Sequence, residues 1–179
     1  MSPEFDRRAF RDLSYGLYIV TSLDGDRLNG QIVNTVIQVT SDPARVAVIV
    51  NKQNLTHEFI SKSGLFGVSV LDESAPMTFL GTFGFRSGRD VDKLSQVEFK
   101  MGVTGCPLVL EHALSVLEAK VIDQIDLGTH TIFIGDTVNV ASRLADIPHS
   151  DKTELLVSAE LAEAAGGLLG DSSFSAMPP

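Results

Sequence analysis

Three stretches gather side chains able to hold a polar ligand. In residues 30–38, GQIVNTVIQ, strand alternation puts Val33, Thr35, Ile37 and Val39 on one face and Ile32, Asn34, Val36 and Gln38 on the other. Two amides then share a face, which either touches a ligand or is the wetted side of an edge strand. The second stretch is Asn51-Lys52-Gln53-Asn54-Leu55-Thr56, where a valine-rich strand gives way to a helix. Free backbone N–H groups, the helix dipole, the Lys52 ammonium and the Thr56 hydroxyl would together make a site for a phosphate monoester. Equally, Asn54 and Thr56 would only cap the helix while Lys52 stays solvated. The pattern GxxxxGK[ST] is absent, so this is not a P-loop. The third stretch, residues 83–93, supplies Arg86, Ser87, Arg89 and Lys93 around Gly84 and Gly88. It reads as a second anion clamp or as charges paired with Asp90 and Asp92.

Other chemistries find less support. The four histidines, His57, His112, His130 and His149, show no i,i+4 pair with carboxylate company, so no metal is expected. There is no GxSxG elbow. Cys106 is the single cysteine, which excludes an intrachain disulfide, a CxxC redox pair and a cysteine cage. Redox chemistry would therefore require a bound cofactor. His130 follows Gly128-Thr129 at the start of a strand and either points into a cleft or is an ordinary surface residue.

The elements that must position these residues are mostly strands. Residues 4–13 read as a short amphipathic helix through Phe5, Ala9, Phe10 and Leu13. Residues 16–21 and a long β-rich segment over 30–40 flank the turn Asp24-Gly25-Asp26 as a hairpin. Residues 45–50 fit a central buried strand. A helix is expected over 54–62, capped by Asn54 or Thr56 and stopped by Gly64, followed by a strand over 65–71 and a short helix over 76–83. Residues 115–125 and 129–140 should pair as a second hairpin about Leu127-Gly128. A mainly β chain with short helices, forming a closed or partly closed barrel over residues 1–150, is the expected architecture. Residues 151–179 are alanine- and leucine-rich and then serine-, methionine- and proline-rich, reading as a helical arm with a loose end. With 179 residues, 44% hydrophobic and 21% charged, the chain is globular and the size of one ordinary domain. A formal charge of −9 argues against nucleic-acid binding. No apolar run approaches membrane-span length and no secretory signal is legible, so a cytoplasmic location is expected.

Residues 30–43, Asn54-Leu55-Thr56-His57, residues 83–93, Gly105-Cys106-Pro107-Leu108, Gly128-Thr129-His130 and Ile134-Gly135 together resemble the flavin reductase-like, FMN-binding split-barrel family. More narrowly they resemble the flavin reductase domain of high-molecular-weight rubredoxins. The rubredoxin domain itself, which needs two CxxC pairs, is absent. The resemblance implies an NAD(P)H-dependent flavin reductase that passes a hydride from NADH or NADPH to FMN and on to an acceptor. That acceptor would be free flavin or a protein of rubredoxin or flavodiiron type. The alternative within the resemblance is a non-catalytic FMN-binding electron carrier served by a separate reductase. It further implies a homodimer with flavin near the interface. The isoalloxazine would lie against Gln31, Ile32, Val33, Asn34 and Thr35, and the phosphate near Asn51, Lys52, Asn54 and Thr56. Ser87 and Arg89 would close over the phosphate or ribityl chain, Lys93 is counted among the cofactor-binding residues, and His130 would serve the nicotinamide. Such a hydride transfer asks the protein mainly to stack two rings and stabilise developing charge.

Overall fold

The computed structural model describes residues 7–142. After a 3₁₀ turn at Arg7–Asp12, β1 (Tyr18–Asp24) returns as β2 (Arg27–Val33), in register from Tyr18↔Val33 to Asp24↔Arg27. Gly25 closes this hairpin at φ 61°, the left-handed conformation that glycine adopts without steric penalty. There follow β3 (Val36–Ser41), β4 (Ala44–Asn51), α1 (Leu55–Ser63), β5 (Leu65–Leu71) and α2 (Met77–Gly84). A second 3₁₀ turn (Leu94–Gln96), β6 (Phe99–Met101), β7 (Pro107–Val109), β8 (Ala113–Asp126) and β9 (His130–Ser142) complete the described chain. Among the described residues no helix is long and apolar enough to cross a membrane.

Seven antiparallel strands form one sheet in the order β2-β1-β5-β8-β9-β4-β3, and β6 pairs with β7 apart from it. The long β8–β9 ribbon joins two half-sheets. Its β8 strand takes β5 as neighbour over residues 113–120, whereas β9 takes β4 over residues 130–136. Register shifts at Glu118/Ala119 and Val121/Asp123 mark the change of neighbour, where added local twist lets one ribbon serve two differently oriented halves. The fold is a mainly β split barrel whose sheet stays open between β2 and β3.

The single long strand expected over 30–40 is in fact two. The chain breaks at Asn34-Thr35 because β2 belongs to β1 and β3 to β4, at opposite edges of the sheet. Thr35 is already held by β4: its carbonyl accepts the Ile49 N–H at 3.2 Å, and its hydroxyl donates to the Ile49 carbonyl at 3.4 Å. Alternation therefore does not run through the break, and Asn34 and Gln38 do not form one amide face. The expected helix over 4–13 is likewise corrected to a 3₁₀ turn with Phe10 and Leu13 more than half exposed. The expected arm over 151–179 lies outside the described residues.

Inside, Val20, Val33, Val48, Phe66 and Phe133 from both half-sheets pack with Ile60 of α1. On the other face of β1 and β2, Ile19 meets Phe79 and Phe83 of α2. The half-sheet β8-β9-β4-β3 also carries an outward apolar face. Its register sets Ile37 opposite Ala47, Ala47 opposite Ile134, and Ile49 opposite Ile132, which is opposite Ile125. Directly opposed residues share a face. Ile37, Ile49, Ile125, Ile132 and Ile134 thus lie together, partly or largely exposed, while Val46, Val48 and Val50 point to the core.

Candidate functional site

Both helices pack on β2, and that edge strand supplies the floor of the site. Alternation turns Asn29, Gln31 and Val33 toward α1, while Leu28 and Ile32 turn toward α2. The Asn29 amide donates to Thr56 Oγ1 at 2.8 Å, and Thr56 is fully buried, so this bond fixes the first turn of α1 to the strand. Gly88 presses against the same amide: a Cβ there would lie 1.9 Å from Asn29 Oδ1. At the strand's open edge, Lys93 Nζ donates to the Gly30 carbonyl at 3.0 Å and to the Phe83 carbonyl at 3.2 Å. The lysine is 5% exposed, and burial pulls its pKa down to about 8. An ammonium carries three donors, so one remains for a ligand. Gln31, 7% exposed, has its Oε1 buried without a partner.

These groups line a cavity of about 260 Å³ between β2, the start of α1 and the loop after α2. The first turn of α1 opens there behind Asn54, whose extended backbone forms the N-cap with no side-chain capping bond. Gly64 ends the helix at φ 68°, its N–H returning to the Ile60 carbonyl at 2.9 Å. Among the described residues, no carboxylate and no imidazole lines the cavity. The lysine and the helix N–H groups suit anionic oxygens. Gln31 Oε1 is an acceptor and instead requires a hydroxyl or N–H. A fitting ligand carries both. The volume is below the roughly 300 Å³ at which pockets enclose whole small molecules, so only part of such a ligand enters.

Of the side chains singled out from sequence, Gln31, Ile32, Asn54, Arg86, Ser87 and Lys93 come together in this cavity. Val33 is core. Asn34 is exposed beyond the strand end, and Thr35 is held by Ile49. Asn51 Oδ1 accepts the Gln53 N–H at 2.9 Å. Lys52 Nζ donates to Asp126 at 2.6 Å, and its backbone N–H to the Thr129 carbonyl at 3.0 Å, clamping the β8–β9 turn onto the end of β4. The Lys52 bond holds the Asp126 carboxyl below its ordinary range. Thr56 lies behind the cavity wall, spent on Asn29. Arg89 forms an ion pair with Glu58 of α1 that lowers the pKa of the carboxyl, and it faces a neighbouring cavity. His130 is half-buried and opposite Asn51, with Nδ1 2.9 Å from Thr129 Oγ1. Nearby His57 reaches Thr131 Oγ1 at 2.8 Å, and burial, helped by Lys52, lowers its pKa. Asn29 and Gln53 were missed from sequence, although Asn29 alternates with Gln31 along β2.

Comparison with known proteins follows this geometry. Residues 10–157 match the family model described as flavin reductase like domain. The chain is 53% identical over 134 residues to the ferric-chelate reductase (NAD(P)H) of Archaeoglobus fulgidus, covering 75% of this chain and 79% of that protein. It is 48% identical over 143 residues to the high molecular weight rubredoxin of Moorella thermoacetica, covering 80% of this chain and 62% of that longer protein. The likeness is thus not to rubredoxin-linked chains alone. Among solved structures, the NADH:FAD oxidoreductase of Streptomyces globisporus superposes with a TM-score of 0.70 at 28% identity, covering 78% of this chain and 82% of that one.

Proposed function

The chain belongs to the flavin reductase-like family, and from that premise we propose that it catalyses hydride transfer from a reduced nicotinamide dinucleotide to FMN. The observation that carries this reading is the pairing, in one cavity, of a buried lysine with a spare donor and a buried amide oxygen with a spare acceptor site. The terminal phosphate and ribityl chain of FMN offer that combination. Lys93 and the first N–H groups of α1 would hold the phosphate, and Gln31 Oε1 would accept from a ribityl hydroxyl. The cavity is too small for the ring system, which would lie outside it along residues 31–35. Bound flavin supplies a reversible acceptor for a hydride. The protein's share is orientation, and nothing in the cavity is asked to act as acid or base.

His130 stays a candidate for contact with the nicotinamide, since it is half-buried at the edge where β4 ends and only its Nδ1 has a described partner. We also propose that the chain works as a homodimer, supported by the outward isoleucine face, and that a second subunit helps to cover the flavin. A cytoplasmic location fits a supply of reduced nicotinamide. The acceptor of electrons would be free flavin, a ferric chelate or a rubredoxin- or flavodiiron-type protein; one relative is named a ferric-chelate reductase and another a high molecular weight rubredoxin.

The test is a visible spectrum of the purified protein with FMN, followed by anaerobic addition of NADH and, separately, NADPH. Two flavin bands that bleach at once support the reductase. Bands that persist with both dinucleotides and bleach only with dithionite would reject it in favour of an electron carrier. Protein that never takes up FMN would reject both.

A further inference from the structure

Phe85 lines the small cavity but has no part in the reading above. It is 80% exposed, so its ring stands at the rim. The position of that ring is set by α2. Phe85 ends the helix, its N–H returning to the Gly81 carbonyl at 3.0 Å. The ring folds back over the same glycine: a Cβ at Gly81 would lie 3.3 Å from Phe85 Cδ2. One side of the phenyl is thus seated on the helix backbone, and the other side is open. Among the described residues, the other aromatic side chain that lines the cavity, Phe83, is buried and packs on Gly30.

A phenyl alone on a protein surface needs no explanation. This one stands where the character of the site changes. Lys93 and Gln31 are buried at the polar floor, whereas Phe85 offers a flat apolar surface at the rim. FMN has the same order along its length: a phosphate, a chain of hydroxyls, then a planar ring. Gly84, the residue before Phe85, packs directly on β2, since a Cβ there would lie 3.7 Å from Ile32 Cγ1. The phenyl is therefore held close to the strand segment along which the ring system would lie. A ring already seated on a helix loses little freedom when a ligand covers it.

We infer that Phe85 stacks on one face of the isoalloxazine ring and is the residue that selects a flavin over other phosphate monoesters. The inference rests on the reading that the cavity holds the flavin phosphate. Lys93, Gln31 and the first N–H groups of α1 would serve any sugar phosphate, whereas a flat aromatic ring alone can use the open side of the phenyl. Residues 31–35 would then run along the edge of the flavin ring. The face opposite Phe85 is left to the nicotinamide, as a hydride transfer between two stacked rings requires.

The experiment is a titration of the full chain with FMN, alone and with inorganic phosphate as competitor. Phe85→Ala should weaken FMN about tenfold or more, as loss of one aromatic stack does, and leave the inhibition constant of phosphate within about twofold. Phe85→Leu keeps an apolar cover on Gly81 but has no flat face, and it should weaken FMN nearly as much. Phe85→Trp should keep the affinity and add a charge-transfer shoulder on the red side of the flavin bands. No other indole can produce that shoulder, because the chain contains no tryptophan. Unchanged FMN affinity in Phe85→Ala would overturn the inference, and a raised KM for NADH in its place would give the phenyl to the nicotinamide. Full affinity in Phe85→Leu would overturn it too, by reducing the role to packing on α2. So would equal weakening of FMN and phosphate, or a Phe85→Trp protein that binds FMN without the shoulder. If the unaltered chain takes up no FMN, the parent reading fails and this inference with it, whereas FMN uptake with silent Phe85 variants removes this inference alone.

Discussion

Lys93 is charged at neutral pH although it is buried, and its only described partners are two neutral carbonyls. With its pKa pulled from 10.5 to about 8, it loses its proton within reach of ordinary buffers. FMN affinity should be greatest near pH 7, where the phosphate is largely dianionic and Lys93 still charged, and fall as the pH rises through 8 toward 10. Stability should move the other way. The unfolded lysine keeps its proton up to about 10.5, so between the two pKa values the unfolded chain binds more protons and the folded state gains as pH rises. FMN titrations and urea melts over the same pH series measure both trends. Lys93→Met should lower FMN affinity about tenfold or more, the worth of one charge-assisted bond, and flatten the pH profile. Thr56 shows the opposite allocation. Thr56→Ala should cost about 1–3 kcal/mol of stability by orphaning the Asn29 amide, with Thr56→Ser restoring most of it. Lys52→Ala, whose ammonium is held by Asp126 outside the cavity, should leave FMN affinity within about twofold.

At the scale of elements, what was legible in the sequence was local. Asn54 and Gly64 bracket α1, β5 follows at 65–71 as its valines indicate, and the turn at Leu127-Gly128 announces the β8–β9 hairpin. The break at Asn34-Thr35 was not legible, because alternation continues across it and only the distant partners β1 and β4 force the chain to change edges. The same limit applied to the site. Lys52 and Lys93 both sit in polar, loop-like stretches, and what separates them is a partner far along the chain: Asp126 for one, the Gly30 carbonyl for the other. The short strands β6 and β7, three residues each, carry too little pattern to detect. Between β6 and β7 the loop is anchored from below by Glu118 of β8. This buried carboxylate accepts the Val103 N–H at 3.0 Å, the Thr104 N–H at 2.8 Å, the Thr104 hydroxyl, and the Asn139 amide at 3.0 Å. An amide cannot accept on both arms, so Glu118→Gln should cost about 2–3 kcal/mol in a urea melt. FMN affinity should be unaffected, since none of these residues lines either cavity.

For the whole molecule, the decisive relation is between the small cavity and the outward isoleucine face. A net charge of −9 on a 19.2 kDa chain opposes self-association, so a cluster such as Ile37, Ile49, Ile125, Ile132 and Ile134 on one sheet face calls for a cover. A twofold pairing of this face with itself would bury it by the commonest route to a soluble dimer. The same step would serve the ligand. The cavity encloses only the polar end of FMN, and a flavin ring left on one subunit would expose much of its area to water. Sedimentation should therefore give about twice the chain mass of 19.2 kDa for the protein with FMN. Ile37→Glu with Ile125→Glu places like charges on the two exposed positions of that face and should yield monomers that keep the far-ultraviolet spectrum of the fold. If the second subunit covers the flavin, those monomers should bind FMN about tenfold more weakly, through lost apolar contact alone, with the pH profile set by Lys93 intact. Monomers that bind FMN as tightly as the parent would confine the flavin site to one chain, and a parent protein that sediments as a monomer would remove the dimer altogether.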